Sequence, residues 1–225
     1  ISLFLFFCFF FTFSTLILYV VFYSFFIFPT YYFSILRPFN DDKCFIVDLP
    51  PDLHSVIDYV NLHNLAIAGA LLTHGHYDHS LGLQNFDGNA YINLDDEFLA
   101  RNPHEQIKSL LGNDIDVDEY KGELHSVDDL DSNNLIIHKN PGHTKGSVSY
   151  EFPNEGLIFT GDFVFKDSIG RTDLFSGSME EMNNSLKHTF LNFNDEYEIL
   201  PGHGPSGKVI SIKNNNQFIK ALLND

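Results

Sequence analysis

Thr73-His74-Gly75-His76-Tyr77-Asp78-His79 places four side chains of metal-ligand type within six residues. In an extended loop His74 and His76 point the same way and can share one ion, while a turn at Asp78 and His79 aims that pair at a second. Gly75 lets the backbone bend closely around both histidines, and the small residues Ser80 and Gly82 follow. Immediately upstream, residues 67–73 (IAGALLT) read as a buried strand. The cluster therefore begins as a strand ends, which is where α/β folds usually place their ligands. Further back, residues 43–49 (KCFIVDL) form another strand-like apolar run, closed by Pro50-Pro51. Asp52 then opens a helix to about Asn64, with Leu53, Val56, Ile57 and Val60 on one face.

Downstream, three more ligand-type residues follow in the same strand-to-loop context. Pro141-Gly142-His143-Thr144 comes after the apolar run Leu135–Ile137 and before the strand SVSYEF, residues 147–152. Residues 157–162 (LIFTGD) are a buried strand ending in Gly161-Asp162, which puts a carboxylate at the sheet edge where it can bridge two cations. Glu198-Ile199-Leu200 leads into Pro201-Gly202-His203-Gly204-Pro205, a rigid turn presenting one more histidine. Each signal is weak by itself, but the repeated order of strand, loop and ligand is hard to obtain by chance.

Composition sets the outer bounds. A chain of 225 residues suffices for one sizeable α/β domain. With 30 acidic against 13 basic residues the formal net charge is -17, so the surface field repels a polyanion and argues against nucleic acid as substrate. Cys8 and Cys44 make neither a disulfide framework nor a thiolate zinc site, so any metal is held by histidine and carboxylate. Residues 1–36 differ from the rest: they carry no charge and hold 12 of the 24 phenylalanines. At about 1.5 Å per residue a helix of that length exceeds the roughly 30 Å apolar core of a bilayer, which supports a membrane anchor or targeting segment. Against a simple signal peptide, the stretch starts at Ile1 and has no basic n-region. A third reading is non-native sequence, since translated AT-rich DNA yields Phe, Tyr and Ile runs. The expected division is 1–36 for this segment and 37–225 for the domain that carries the ligand-type motifs, with the compartment left open between cytoplasmic, organelle-targeted and membrane-anchored.

HGHYDH, PGHT, TGD and PGHG, in this order, resemble the metallo-β-lactamase superfamily from about Lys43 onward. The resemblance implies an α/β (α+β) fold, a four-layer αββα sandwich with two metals between the sheets at one edge. It implies one metal on His74, His76 and His143, another on Asp78, His79 and His203, and Asp162 bridging them. The ions are expected to be divalent, zinc first, with iron or manganese also compatible with these donors. Ile169-Gly170-Arg171-Thr172-Asp173 is similar to the G-R-T-D segment of short hydroxyacylglutathione hydrolases (glyoxalase II) and of the related persulfide dioxygenases. In that branch a basic residue near Arg171 helps to hold the glutathione carboxylate, while the bland reading has Arg171 tying its own loop to Asp173. Long glyoxalase II enzymes add a C-terminal helical domain, and only about twenty residues follow Pro205.

The implied reaction is hydrolysis of a small-molecule glutathione thioester, S-D-lactoylglutathione to glutathione and D-lactate, by a metal-bridging hydroxide that Asp78 could also orient. The rival within the resemblance is a persulfide dioxygenase using a single iron on two histidines and an aspartate. Lactone or β-lactam hydrolysis fits G-R-T-D less well. From another class, a catalytically silent membrane-tethered binding module would leave seven ligand-type residues without a purpose. Two departures from the family stand out. Its leading strands are replaced by the Phe-rich segment, so the first sheet is expected to be incomplete, and Lys145 stands where proline is commoner. His54, His63, His104, His125, His138 and His188 match no motif and are expected on solvated faces.

Overall fold

A computed structural model of the chain describes residues 21–22, 34–36, 43–112, 117–130 and 134–223. The first half contains β1 (Val21–Phe22), β2 (Ser34–Leu36), β3 (Lys43–Val47), α1 (Leu53–Leu62), β4 (Ala66–Leu71), α2 (Tyr77–Ser80), β5 (Ala90–Ile92), α3 (Glu97–Arg101), α4 (Pro103–Leu111) and β6 (His125–Ser126). The second half contains β7 (Ile136–Lys139), β8 (Val148–Phe152), β9 (Leu157–Gly161), α5 (Met179–His188), β10 (Glu198–Pro201), β11 (Gly207–Lys208), α6 (Val209–Asn215) and α7 (Gln217–Leu223). Each half makes one sheet, ordered β1-β2-β3-β4-β5-β6 and β11-β10-β9-β8-β7.

Strand alternation sorts the apolar residues into layers. On the first sheet Ile46, Ala70 and Leu72 pack outward against Leu53, Val56 and Val60 of α1. Their neighbours Val47 and Leu71 point the other way, meeting Val148, Tyr150, Phe152, Phe159 and Leu200 of the second sheet. On the far side Ile158 and Ile199 pack against Met182 and Leu186 of α5 and Val209 and Ile212 of α6. The result is the expected helix, sheet, sheet, helix order. Each fully buried aliphatic side chain in the inter-sheet layer contributes about 1.5–3 kcal/mol.

Element ends differ from expectation for local reasons. The 43–49 strand stops at Val47 because Asp48 takes a left-handed backbone, φ 62°. The helix starts at Leu53 with Asp52 in the capping position, but the Asp52 carboxylate accepts from Ser55 Oγ instead of from the helix backbone (2.9 Å). It ends at Leu62, with Asn64 also left-handed at φ 51°.

The expectation of an incomplete first sheet is corrected. β2 pairs antiparallel with β3, Ser34 opposite Val47 and Leu36 opposite Phe45, and β1 pairs with β2. An edge strand asks only for the free backbone groups that β3 presents, which composition does not reveal. The rest of 1–36, and with it the anchor reading, lies outside the described residues. Among the described residues no helix is long and apolar enough to cross a membrane. Of the six unassigned histidines, His54, His63 and His188 are exposed, whereas His104 and His125 are half-buried. His138 departs furthest from a solvated face, donating to Glu151 Oε2 (2.6 Å) with its ring against Phe193.

Candidate metal centre

Parallel pairing of β9 with β10 brings their C-terminal ends to one edge, and Gly202 N–H donates to Gly161 O there (2.9 Å). Asp162 and His203 leave the sheet at that edge. The loop after β4 supplies His74 and His76, and Asp78 and His79 lie in the single turn of α2. His143 comes from the connection between β7 and β8. Val148 N–H donates to Thr73 O (2.8 Å), so one backbone bond joins the two sheets beside the cluster.

All seven sequence-selected residues converge. His74, His76 and His143 offer ring nitrogens within 4.8 Å of one another, as do ligand atoms of Asp78, His79 and His203, and of His74, His79 and Asp162. In the first group His76 Nδ1 lies 2.9 Å from His143 Nε2. In the second, Asp78 Oδ2 lies 3.2 Å from His203 Nε2, and His79 Nε2 lies 3.2 Å from the same atom. Asp162 stands between the groups, with Oδ2 3.7 Å from His143 Nε2 and 3.6 Å from His203 Nε2.

Neighbouring bonds fix which ring nitrogens are available. His143 Nδ1–H donates to the Arg171 carbonyl (2.7 Å), leaving Nε2 for the cluster. His79 Nδ1–H donates to Asp48 Oδ2 (2.8 Å), so its Nε2 faces inward. Thr73 spends its hydroxyl hydrogen on Asp48, leaving Oγ1 to accept from His74 Nδ1–H (3.1 Å) and His74 Nε2 without a partner. Asp96, fully buried, ties the two histidine loops together. It accepts from Gly75 N–H (2.9 Å) on one side and from Thr144 Oγ1 (2.6 Å) and Gly146 N–H (2.7 Å) on the other.

Asp48, Thr73 and Asp96 were missed from sequence. The only signal for Asp48 was a carboxylate ending a buried strand, and Asp96 belongs to no motif.

Electrostatics match a cation site. Burial and then the neighbouring histidines push the His74 imidazole well below its ordinary range, and burial with His143 pulls His76 down to about 3. Burial alone would lower His79 as well, but the carboxylates of Asp48, Asp78 and Asp162 raise it well above the usual value. Burial raises Asp162, yet the His79 charge outweighs it and keeps this carboxylate ionised below the usual range. Neutral imidazoles at His74 and His76 beside the ionised Asp162 carboxylate are the protonation states that a divalent ion takes, and an ion would displace the proton that the three carboxylates favour on His79. His74 Nε2 and Asp162 Oδ1 are buried and make no hydrogen bond, the latter with His79 Nε2 at 3.4 Å. Two orphaned acceptors inside a cage of imidazoles fit metal ions, since such groups are otherwise costly to bury.

Arg171 contributes through its backbone. Its guanidinium is exposed and forks onto the Asp173 carboxylate, Nε to Oδ1 at 2.7 Å and Nη2 to Oδ2 at 2.8 Å. This is the loop-tying arrangement weighed from sequence. Burial of the Asp96 carboxylate raises its pKa, against the lowering effect of its three donors.

Residues 31–203 match the Metallo-beta-lactamase superfamily. Among curated relatives, the probable metallo-hydrolase YqgX of Bacillus subtilis is 29% identical over 194 residues, covering 81% of this chain and 90% of that protein. The hydroxyacylglutathione hydrolase GloC of Haemophilus influenzae is 30% identical over 191 residues, again 81% and 90%. Among solved structures, the BLEG-1 B3 metallo-beta-lactamase superposes with a TM-score of 0.75 at 25% identity, covering 88% of this chain and 99% of that one. The two-sheet sandwich, the ligand-type cage at its edge and the match over most of the described chain agree, and the protein is a member of the metallo-β-lactamase superfamily.

Proposed function

We propose that the protein is a dinuclear metal-dependent hydrolase that cleaves S-(2-hydroxyacyl)glutathione thioesters, S-D-lactoylglutathione being the simplest. The observation that carries this reading is the convergence of seven ligand-type side chains into two groups that share Asp162. His74, His76 and His143 would hold one ion and Asp78, His79 and His203 the other, with the Asp162 carboxylate placed between the two groups. Zinc, iron and manganese all suit these nitrogen and oxygen donors. When bound, such a pair of ions supplies an acidified water at neutral pH and a Lewis acid for the thioester carbonyl.

The chain's own residues orient and hold. Asp78, the more exposed of the two carboxylates in the cage, turns Oδ2 toward His203 and can accept a hydrogen bond from the attacking water. Asp48 and the Arg171 carbonyl keep His79 and His143 in the tautomers that face inward. Water adds its oxygen to the carbonyl carbon, the C–S bond breaks, and the thiolate takes up a proton to leave as glutathione. A thiolate is a weak base, so no protein nucleophile is needed. Arg171 holds a glutathione carboxylate by exchanging its exposed fork with Asp173 for the substrate, and a surface pair of this kind costs little to open. The similarity to GloC and the G-R-T-D segment support the glutathione thioester.

Purified protein with its bound metal quantified, assayed on S-D-lactoylglutathione beside a His76→Ala control, tests the proposal. Turnover with close to two metals per chain, lost in the control, is the expected result. Correctly metallated protein that leaves the thioester intact but consumes oxygen with glutathione persulfide would replace this reading with the one-iron alternative.

A further inference from the structure

Phe98 and Phe175 are the two most exposed phenylalanines among the described residues. They are 58% and 68% exposed, and they face each other at 5.7 Å between centroids. The two rings come from opposite halves of the sandwich, and both stand on segments that touch the ligand loops. Phe98 precedes Leu99 and Ala100, whose Cβ and N lie 2.7 and 3.0 Å from where a Gly75 Cβ would stand, between His74 and His76. Phe175 is four residues beyond Arg171, whose carbonyl holds His143, and the next residue, Ser176, accepts from Lys145 N–H (3.3 Å). Two exposed ion pairs stand on the same segments as the rings: Asp95, three residues before Phe98, pairs with Lys145 at 3.1 Å, and Asp173, two residues before Phe175, pairs with Arg171 at 2.7 Å.

The area exposed by the pair identifies the occupant's size. Two rings at these exposures offer roughly 250 Å² of apolar surface, whereas a stable protein partner needs about 800 Å² on each side. A small molecule with one apolar group and one or more carboxylates matches the rings and the loosely held cations together.

We infer that Phe98 and Phe175 form an apolar rim that receives the acyl group of the thioester, making aromatic 2-hydroxyacyl groups better substrates than lactoyl. The inference rests on the thioesterase reading above. It adds a specificity determinant outside the metal ligands: the rings select the acyl group, while the cations beside them hold the glutathione carboxylates.

The test compares kcat/KM for S-D-mandeloylglutathione and S-D-lactoylglutathione in the metal-loaded protein, a Phe98→Ser/Phe175→Ser variant and a Phe98→Leu/Phe175→Leu variant. The native protein should prefer mandeloyl by about tenfold, equivalent to about 1.4 kcal/mol. The serine variant should bring the ratio to near one, and the leucine variant should keep most of it. Both positions are exposed, and matching circular dichroism of the three proteins checks their folds. A native ratio near one, or a ratio unmoved in the serine variant, overturns the inference and leaves the thioesterase reading intact. If neither thioester is hydrolysed, that reading falls, and calorimetric binding of S-benzylglutathione against glutathione decides the rim. About tenfold tighter binding of the benzyl compound, lost in the serine variant, supports the rim, and equal binding removes it.

Discussion

Asp96→Ala should separate the two halves of the metal cage without touching a ligand. The carboxylate is fully buried and accepts from Gly75 N–H, Thr144 Oγ1 and Gly146 N–H. Truncation leaves the Gly75 and Gly146 N–H groups unpaired at about 1–3 kcal/mol each, while the Thr144 hydroxyl can turn to Ser147 Oγ (2.7 Å), and removing a carboxylate that was costly to bury offsets part of the loss. A net loss of roughly 2–4 kcal/mol follows, which for a domain of this size lowers Tm by about 10 °C. Asp96→Asn is the graded control. Its remaining oxygen can keep Gly75 and Thr144, but its amide meets Gly146 N–H donor to donor, so about one bond is lost and Tm should fall by roughly 3–6 °C. Scanning calorimetry of the metal-free proteins isolates this structural cost, and metal content after dialysis reads the consequence for the cage. If Asp96→Ala melts within 2 °C or so of the native chain and retains its metal, the carboxylate is not the tie between the loops and the reasoning fails.

Other perturbations reach the site by different routes. Asp48→Ala removes the acceptor that orients His79 and should weaken metal retention about 10–100-fold, measured by competition with a chelator. In Gly202→Ala the new methyl would meet His79 Cε1 at 2.5 Å and also press on Asp162 Oδ1, so native mass spectrometry should find about one metal where the proposed dinuclear site predicts two in the parent. Gly204→Ala, at φ 81° with nothing within 4 Å, should cost about 1–2 kcal/mol of stability through backbone strain and leave the metal count unchanged. Leu71→Ala, at the centre of the inter-sheet layer, should cost about 2–5 kcal/mol in a denaturant titration.

The metal cage was legible because its residues sit in short motifs whose local geometry does most of the positioning. The HGHYDH run needs only a strand end and one helical turn to aim four ligands, and Gly161-Asp162 and Gly202-His203 need only parallel strands. The supporting carboxylates had no such signal. Asp48 reaches residues 25 and 31 positions away, and Asp96 joins partners 21, 48 and 50 away, distances at which nothing periodic survives in a single sequence. Strand runs were found from their apolar content, but their ends depend on single backbone angles such as that of Asp48. The completeness of the first sheet was hidden for a related reason. Ser34–Leu36 joins β3 through backbone groups that the composition of the Phe-rich segment does not encode.

The division of ligands between the halves has a thermodynamic consequence. His74, His76, Asp78 and His79 come from the first half, and His143, Asp162 and His203 from the second, so neither half alone completes either group. Without metal the halves are joined at this edge by the Thr73–Val148 backbone bond and by Asp96, while the carboxylates of Asp48, Asp78 and Asp162 hold the His79 imidazole well above its usual range. An ion seated in the cage binds only the assembled sandwich, and at a thousand times its dissociation constant it adds about 4.1 kcal/mol to folding. That is as much as Asp96 supplies by hydrogen bonding. Metal should therefore raise the Tm of Asp96→Ala by less than that of the native chain, because the two loops the ion would span are no longer tied and bind it more weakly, whereas Leu71→Ala, altered away from the loops, should show about the native rise. A calorimetric series of the three proteins, each with and without metal, measures that difference directly. Equal metal-induced shifts in all three would mean that the cage and the Asp96 tie stabilise the sandwich independently.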